Sequence, residues 1–251
     1  PSVQLSRAGR GERRTCGMRL YLLPDDACIF PDVGEAGPDG LLAIGGDLTP
    51  ERLLRAYEEG IFPWYGPGDP ILWWSPDPRC VLPLDALHVP RRLMRTVRAK
   101  TFEVRLDTAF ADVLEQCAAT PRPGQGGTWL VPEMRAAYTR LHHLGHAHSV
   151  EAWYGGRLVG GLYGVALGGG FFGESMFHAM PDASKVAFVW LARLLVSWGF
   201  RFVDCQQTTS HMLRFGAVEM PRTDFLACLH DATRQPSRIG RWRLPQDFVP
   251  W

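Results

Sequence analysis

The chain has 251 residues, of which 46% are hydrophobic and 21% charged, and its formal net charge is +1 at pH 7. This is the composition of an ordinary globular protein with core enough for one large or two small domains, and near-neutrality leaves any nucleic-acid partner to a local basic patch. The six cysteines form no C-x-x-C pair, which argues against a zinc knuckle or a secreted disulfide scaffold and fits a reducing cytoplasm, and no run of about 18 apolar residues announces a membrane span.

Residues 1–17 carry four arginines but no apolar segment, so they do not read as a secretory signal. Met18 is a candidate internal start, which makes 1–17 an ill-ordered extension. Residues 18–83, dense in Pro, Gly and Trp, read as a small N-terminal domain. Thr49 as N-cap, Pro50 in the first turn and Gly60 beyond the end predict a helix over 50–59. The stretch 61–80, IFPWYGPGDPILWWSPDPRC, has too many prolines for a regular element. Tryptophans on such loops are costly unless they pack or bind. Trp64 and Tyr65 are therefore read as a binding wall, while Trp73 and Trp74 either join it or dock the small domain on the large one.

Residues 84–251 have regular patterning and read as a second domain. A helix is expected over 90–99 and a strand over 101–106. Asp107 is expected to cap a helix running to about 118, and Pro132 to open another that Gly145 closes. Strands follow at 148–153, 157–167 and 171–177, the first two joined by a Gly155-Gly156 hairpin turn. Asp182 should cap a helix over 183–198 that Gly199 ends. A strand (200–204), a short helix (209–215), a strand (217–220) and a helix (223–231) complete the chain. The fold class is α+β. From residue 101 the order is β-α-α-β-β-β-α-β-α-β, which resembles the acyltransferase fold of GCN5-related N-acetyltransferases; element order alone does not fix function.

Two apolar strands end in unexplained polar side chains: Glu174 in one, Asp204 and Gln206 in the other. A strand–helix–strand connection brings them to one end of a sheet, suggesting a pocket for an amine-bearing head with an apolar tail. Strand alternation puts Asp204 and Gln206 on one face, about 7 Å apart, with Cys205 pointing away into the core. Buried Asp204 needs a partner, which Gln206 can supply. Gly173-Glu174-Ser175-Met176-Phe177 lacks the second glycine of a hydrolase elbow. His142, His143, His146 and His148 lack a nearby carboxylate or cysteine to complete a ligand set, so no metal is expected. Arg91, Arg92, Arg95, Arg98 and Lys100 load one helix with unbalanced positive charge. With Trp64, Trp129, Tyr57 and Tyr138 available for stacking, this suggests a single-stranded nucleic-acid end.

The motifs DGLLAIGGDL (39–48), GIFPW (60–64), WWSPDPR (73–79), HHLGHAHS (142–149), GESMF (173–177), ASK (183–185) and DCQ (204–206) together resemble the bacterial leucyl/phenylalanyl-tRNA–protein transferases. The resemblance covers the chain beyond residue 17. It implies a cytoplasmic enzyme, expected to be monomeric, that moves Leu or Phe, and also Met, from aminoacyl-tRNA to proteins with N-terminal Arg or Lys. The product is a peptide bond that marks the acceptor for degradation, and no cofactor is required. It further implies that Trp64, Trp129, Tyr57 and Tyr138 hold the 3′-terminal adenosine. Leu162, Phe171, Leu191, Leu195 and Val203 would line the aminoacyl side-chain pocket. Glu174 would position an amine, Asp204 and Gln206 would orient and help deprotonate the attacking one, and the basic helix would meet the tRNA backbone. An acetyl-CoA-dependent acetyltransferase is disfavoured, because the helix after the third hairpin strand opens Met180-Pro181-Asp182 instead of on a glycine-rich phosphate turn. A non-catalytic RNA-end binder would not need Asp204 with Gln206.

Overall fold

A computed structural model describes residues 4–7, 19–120 and 129–251. The expected extension 1–17 lies outside these apart from one short strand. In chain order the elements are β1 (Gln4–Arg7), β2 (Arg19–Leu23), β3 (Leu41–Gly45), α1 (Pro50–Glu58), β4 (Phe62–Pro63), β5 (Leu72–Trp74), β6 (Arg79–Pro83) and α2 (Arg91–Arg98). There follow β7 (Glu103–Leu106), α3 (Phe110–Ala119), α4 (Pro132–His143), β8 (Ala147–Tyr154), β9 (Arg157–Leu167) and β10 (Gly170–His178). The last are α5 (Ala183–Ser197), β11 (Phe202–Gln206), α6 (Ser210–Leu213), β12 (Val218–Met220) and α7 (Arg222–Thr233).

The strands form a five-stranded sheet, β1-β2-β3-β5-β4, and a seven-stranded one, β12-β6-β11-β10-β9-β8-β7. The fold is thus mixed α+β, with the element order from β7 onward as read from the sequence. The proline-rich stretch 61–80 is more regular than expected: it supplies β4, β5 and the start of β6. Its prolines sit where ladder hydrogen bonds are not needed, at strand ends and turns. Trp73 has no exposed surface and donates Nε1–H to the Gly45 carbonyl at 2.9 Å. Trp74 donates to the Trp64 carbonyl at 2.6 Å, and the two rings meet edge to face. Both therefore pack within the smaller sheet.

The larger sheet has a core on each face, because inward-facing residues alternate along its strands. Tyr163, Val165 and Phe172 face α1, α3, α4 and α7, while Leu162, Ala166 and Phe171 face α2 and α5. Helix α5 lies close on β9: a Cβ on Gly160 would stand 2.5 Å from that of Ala183. Thr49 caps α1 as expected, its side chain accepting the Arg52 N–H. Two other expected side-chain caps are corrected. Asp107 does not cap α3; it sits at φ 52 and accepts the backbone N–H groups of Ser149 and Trp242, at 2.9 and 2.7 Å. Asp182, at φ 67, does hold the N-cap position of α5, its carbonyl accepting the Val186 N–H at 2.8 Å, but its carboxylate turns to Lys185 at 2.7 Å and makes no side-chain cap bond. Among the described residues no helix is long and apolar enough to cross a membrane.

Candidate active site

Strands β10 and β11 pair in parallel only over Gly170–Phe172 and Phe202–Asp204. Just beyond, each carries an extra residue. The register of β10 on β9 shifts between Gly173 and Ser175, and that of β11 on β6 shifts between Asp204 and Gln206. Bulges bend a strand and re-aim its side chains. Here they free Glu174 and Cys205 from the ladder at adjacent positions, where a cavity of about 280 Å³ opens.

The second bulge corrects the alternation argument. Gln206 takes φ 61, an uncommon backbone for a residue with a side chain. Asp204 Oδ1 accepts the Gln206 N–H at 2.9 Å and supports that turn. Cys205, half-buried, packs against the α5-side core as expected and also lines the cavity. Nor is Gln206 the side-chain partner of Asp204. That partner is Arg79 at the start of β6, which donates Nε–H and Nη2–H to the two carboxylate oxygens at 2.9 and 2.7 Å. Both side chains lack exposed surface. Arg79 also donates to the Gly60 carbonyl at 3.1 Å and lies between the rings of Phe62 and Phe225. A planar fork that meets a carboxylate bidentately makes this pair rigid.

Gln206 instead donates Nε2–H to Glu174 Oε1 at 2.9 Å. Tyr57 donates to the same oxygen at 2.7 Å, and Tyr138 donates to Oε2 at 2.8 Å. The two tyrosine hydroxyls are 2.8 Å apart. Their rings have no exposed surface, so neither offers a face to a base. Burial beside Glu174 holds both phenol pKa values well above the usual range, keeping them as donors. Burial also pushes the Glu174 carboxyl up to about 7; the two tyrosines pull it down, the Asp204 charge adds to the rise, and Gln206 opposes it. The half-buried Glu174 is thus an aimed carboxylate poised near neutrality.

Four of the five expected pocket residues, Leu162, Phe171, Leu191 and Val203, line the cavity with Glu174. Leu195 does not; it is fully buried in the core. Phe188 of α5, Met176 of β10 and Met212 of α6 also line the wall and were missed, because the period of a helix or strand alone cannot show which apolar side chain meets a void. Trp64 is half-buried and Trp129 nearly covered. Arg91, Arg92, Arg95 and Arg98 of α2, and Lys100 just beyond it, are all exposed, and none pairs with a carboxylate among the described residues. Two of the four clustered histidines have packing roles. His142 stacks on Phe110 and meets the Ala147 carbonyl, while buried His148 contacts Asp107 and stacks on Trp242.

Residues 81–230 match the family described as leucyl/phenylalanyl-tRNA protein transferase, and residues 46–77 match that family's N-terminal domain. The chain belongs to this family. A relative from Oleidesulfovibrio alaskensis, named leucyl/phenylalanyl-tRNA–protein transferase, is 59% identical over 238 residues, covering 93% of this chain and 96% of its own. Relatives of the same name from an Anaeromyxobacter species and from Myxococcus xanthus are 60% and 56% identical, each over 90% of this chain and 96% and 97% of their own. The matched segments hold Tyr57 and Trp64 on one side and Tyr138, Glu174, Asp204 and Gln206 on the other; Arg79 falls between them.

Proposed function

We propose that this protein transfers leucine, phenylalanine or methionine from aminoacyl-tRNA to acceptor proteins whose N-terminal residue is Arg or Lys. The new peptide bond installs a residue that directs the acceptor to degradation. The observation that carries this reading is the apolar cavity of about 280 Å³ with Glu174 held on its wall by three donors. The aminoacyl side chain fits the cavity, which brings its ester carbonyl to an acceptor α-amine held at the carboxylate.

In the reaction the acceptor nitrogen attacks the ester carbonyl. The bond to the terminal ribose oxygen breaks, that oxygen gains a proton, and the attacking amine loses one. The ester is already activated, so the chain's task is to bring the two groups together. An α-amine has pKa near 8, and a carboxylate near 7 is matched to take its proton as attack proceeds. Gln206 fixes Glu174 and presents its amide oxygen to an ammonium. Asp204, occupied by Arg79, orients Gln206 and contributes its field. Leu162, Phe171, Leu191 and Val203 receive the aminoacyl side chain. Trp64 and Trp129 hold the 3′-terminal adenosine, and the buried Tyr57 and Tyr138 serve as the clamp on Glu174. Arg91, Arg92, Arg95, Arg98 and Lys100 take the tRNA backbone. The element order supports reading residues 84–251 as a GCN5-related N-acetyltransferase-like domain. Residues 18–83 form the small domain and lend their last strand, β6, to the larger sheet.

Purified protein incubated with Leu-tRNA and a peptide beginning with Arg tests this. The expected product is the peptide lengthened by one Leu, with little product from a peptide beginning with Ala. Absence of transfer from any of the three charged tRNAs would overturn the reading.

A further inference from the structure

The segment 238–244, far along the chain from every residue given a role above, is bolted beside the edge strand β7. Trp242 is 2% exposed and stacks on His148 with ring centroids 3.7 Å apart. Its backbone N–H donates to Asp107 Oδ2 at 2.7 Å, and its indole N–H donates to the Arg238 carbonyl at 3.1 Å. Trp242 is buried and its two neighbours, Arg241 and Arg243, are exposed, as alternation along an extended segment requires. Both arginines line a cavity of about 340 Å³ together with Arg105, Val104, Leu106 and Thr108.

The charge there is one-sided. Arg105 lies over the Trp153 ring and is paired with Glu103 at 2.7 Å. Arg241 and Arg243 have neither a carboxylate nor a hydrogen-bond partner among the described residues. The strand adds donors of its own. The Asp107 N–H points inward to the Ser149 carbonyl, so by alternation the N–H groups of Val104 and Leu106 point outward from the sheet edge. Guanidinium groups on a fixed backbone beside free N–H donors are suited to phosphate oxygens.

The place suits a polymer. Arg105 pairs with Glu151, Glu151 with Gly161, and Gly161 with Phe177, three residues beyond Glu174 on β10. Three strand spacings make the lateral offset about 14 Å, so an RNA whose 3′ end reaches Glu174 has backbone within range. We propose that the cavity of Arg105, Arg241 and Arg243 holds a backbone phosphodiester of the donor tRNA. The inference rests on aminoacyl-tRNA being the donor.

The test is the double variant Arg241→Ala/Arg243→Ala, whose side chains are exposed and whose melting temperature is expected to match the wild type. The expected result is about fivefold weaker tRNA binding near 0.15 M salt, and a log–log salt dependence shallower by roughly one for each phosphate no longer neutralised. Transfer from aminoacyl-adenosine, which has no backbone, stays at the wild-type rate. Unchanged tRNA affinity and salt slope would overturn the proposal. So would unchanged tRNA affinity with inorganic phosphate stabilising the wild type alone, which would make this a free-anion site, or loss confined to an acidic acceptor protein. Equal losses with both donors would show a structural role and overturn it too. If the wild type transfers from no charged tRNA, the donor reading fails independently of the variant.

Discussion

Replacing Glu174 with Gln tests whether this carboxyl is set near neutrality by its surroundings. The folded-state pKa is about 7 against an ordinary 4.5. Between those values the folded state binds more protons than the unfolded one, so stability falls as pH rises. The contribution is fully present below about 4.5 and is lost as pH passes through 7. A shift of that size corresponds to roughly 3 kcal/mol in all, of which about 2 kcal/mol falls between pH 5 and pH 8 after allowance for solvent at the cavity mouth. Urea unfolding of wild type and Glu174→Gln across that range isolates the contribution, because His148, His211 and the other shifted groups titrate alike in both. The wild type is expected to lose about 2 kcal/mol more than the variant on going from pH 5 to 8. Transfer from aminoacyl-adenosine gives the functional half. Loss of the proton acceptor should cost on the order of 10²–10⁴-fold in rate, and the ratio of wild-type to variant rates should rise through pH 7. Parallel stability curves would show that Glu174 titrates at its ordinary value, and a pH-independent rate ratio would remove it as the proton acceptor.

Arg79→Ala strands the Asp204 carboxylate in a site without exposed surface, so a loss of about 3–5 kcal/mol in unfolding free energy is expected; adding Asp204→Asn should recover part of it, and a single variant as stable as wild type would refute the pairing argument. Leu191→Ala enlarges the cavity and should lower Leu transfer more than Phe transfer, read as the product ratio from competing charged tRNAs. Leu195→Ala, behind the wall, should instead cost about 2–5 kcal/mol of stability and leave that ratio unchanged. Charge reversal at Arg91 and Arg95 should weaken tRNA binding and flatten its salt dependence without slowing transfer from aminoacyl-adenosine, whereas equal losses with both donors would make α2 structural.

The regular parts of this molecule were legible from local signals. Apolar runs bounded by turn residues marked β8, β9 and β10, which are central strands covered on both faces, and the long apolar run ended by Gly199 marked α5. The side-chain caps at Asp107 and Asp182 were misread for a local reason. Both residues adopt positive φ and spend their carboxylates on other partners, a choice made by tertiary neighbours such as Trp242 and Lys185. Arg79 was overlooked because its partner lies 125 residues away. A lone arginine heading the run Cys80-Val81-Leu82 was still a usable signal, since a cation entering an apolar strand needs an anion.

The deepest misreading was at the site itself. Alternation through Asp204, Cys205 and Gln206 assumes an unbroken ladder, and the ladder breaks at Cys205 and again at Glu174. A residue added to one strand leaves no trace in composition or period, because it is defined by the strand it faces. Yet without those two extra residues Gln206 would stay in phase with Asp204, its amide would not reach Glu174, and β10 and β11 would have no reason to part beyond Asp204. The irregularity that hides the site from a reading by period is also what opens the cavity and turns the carboxylate toward it.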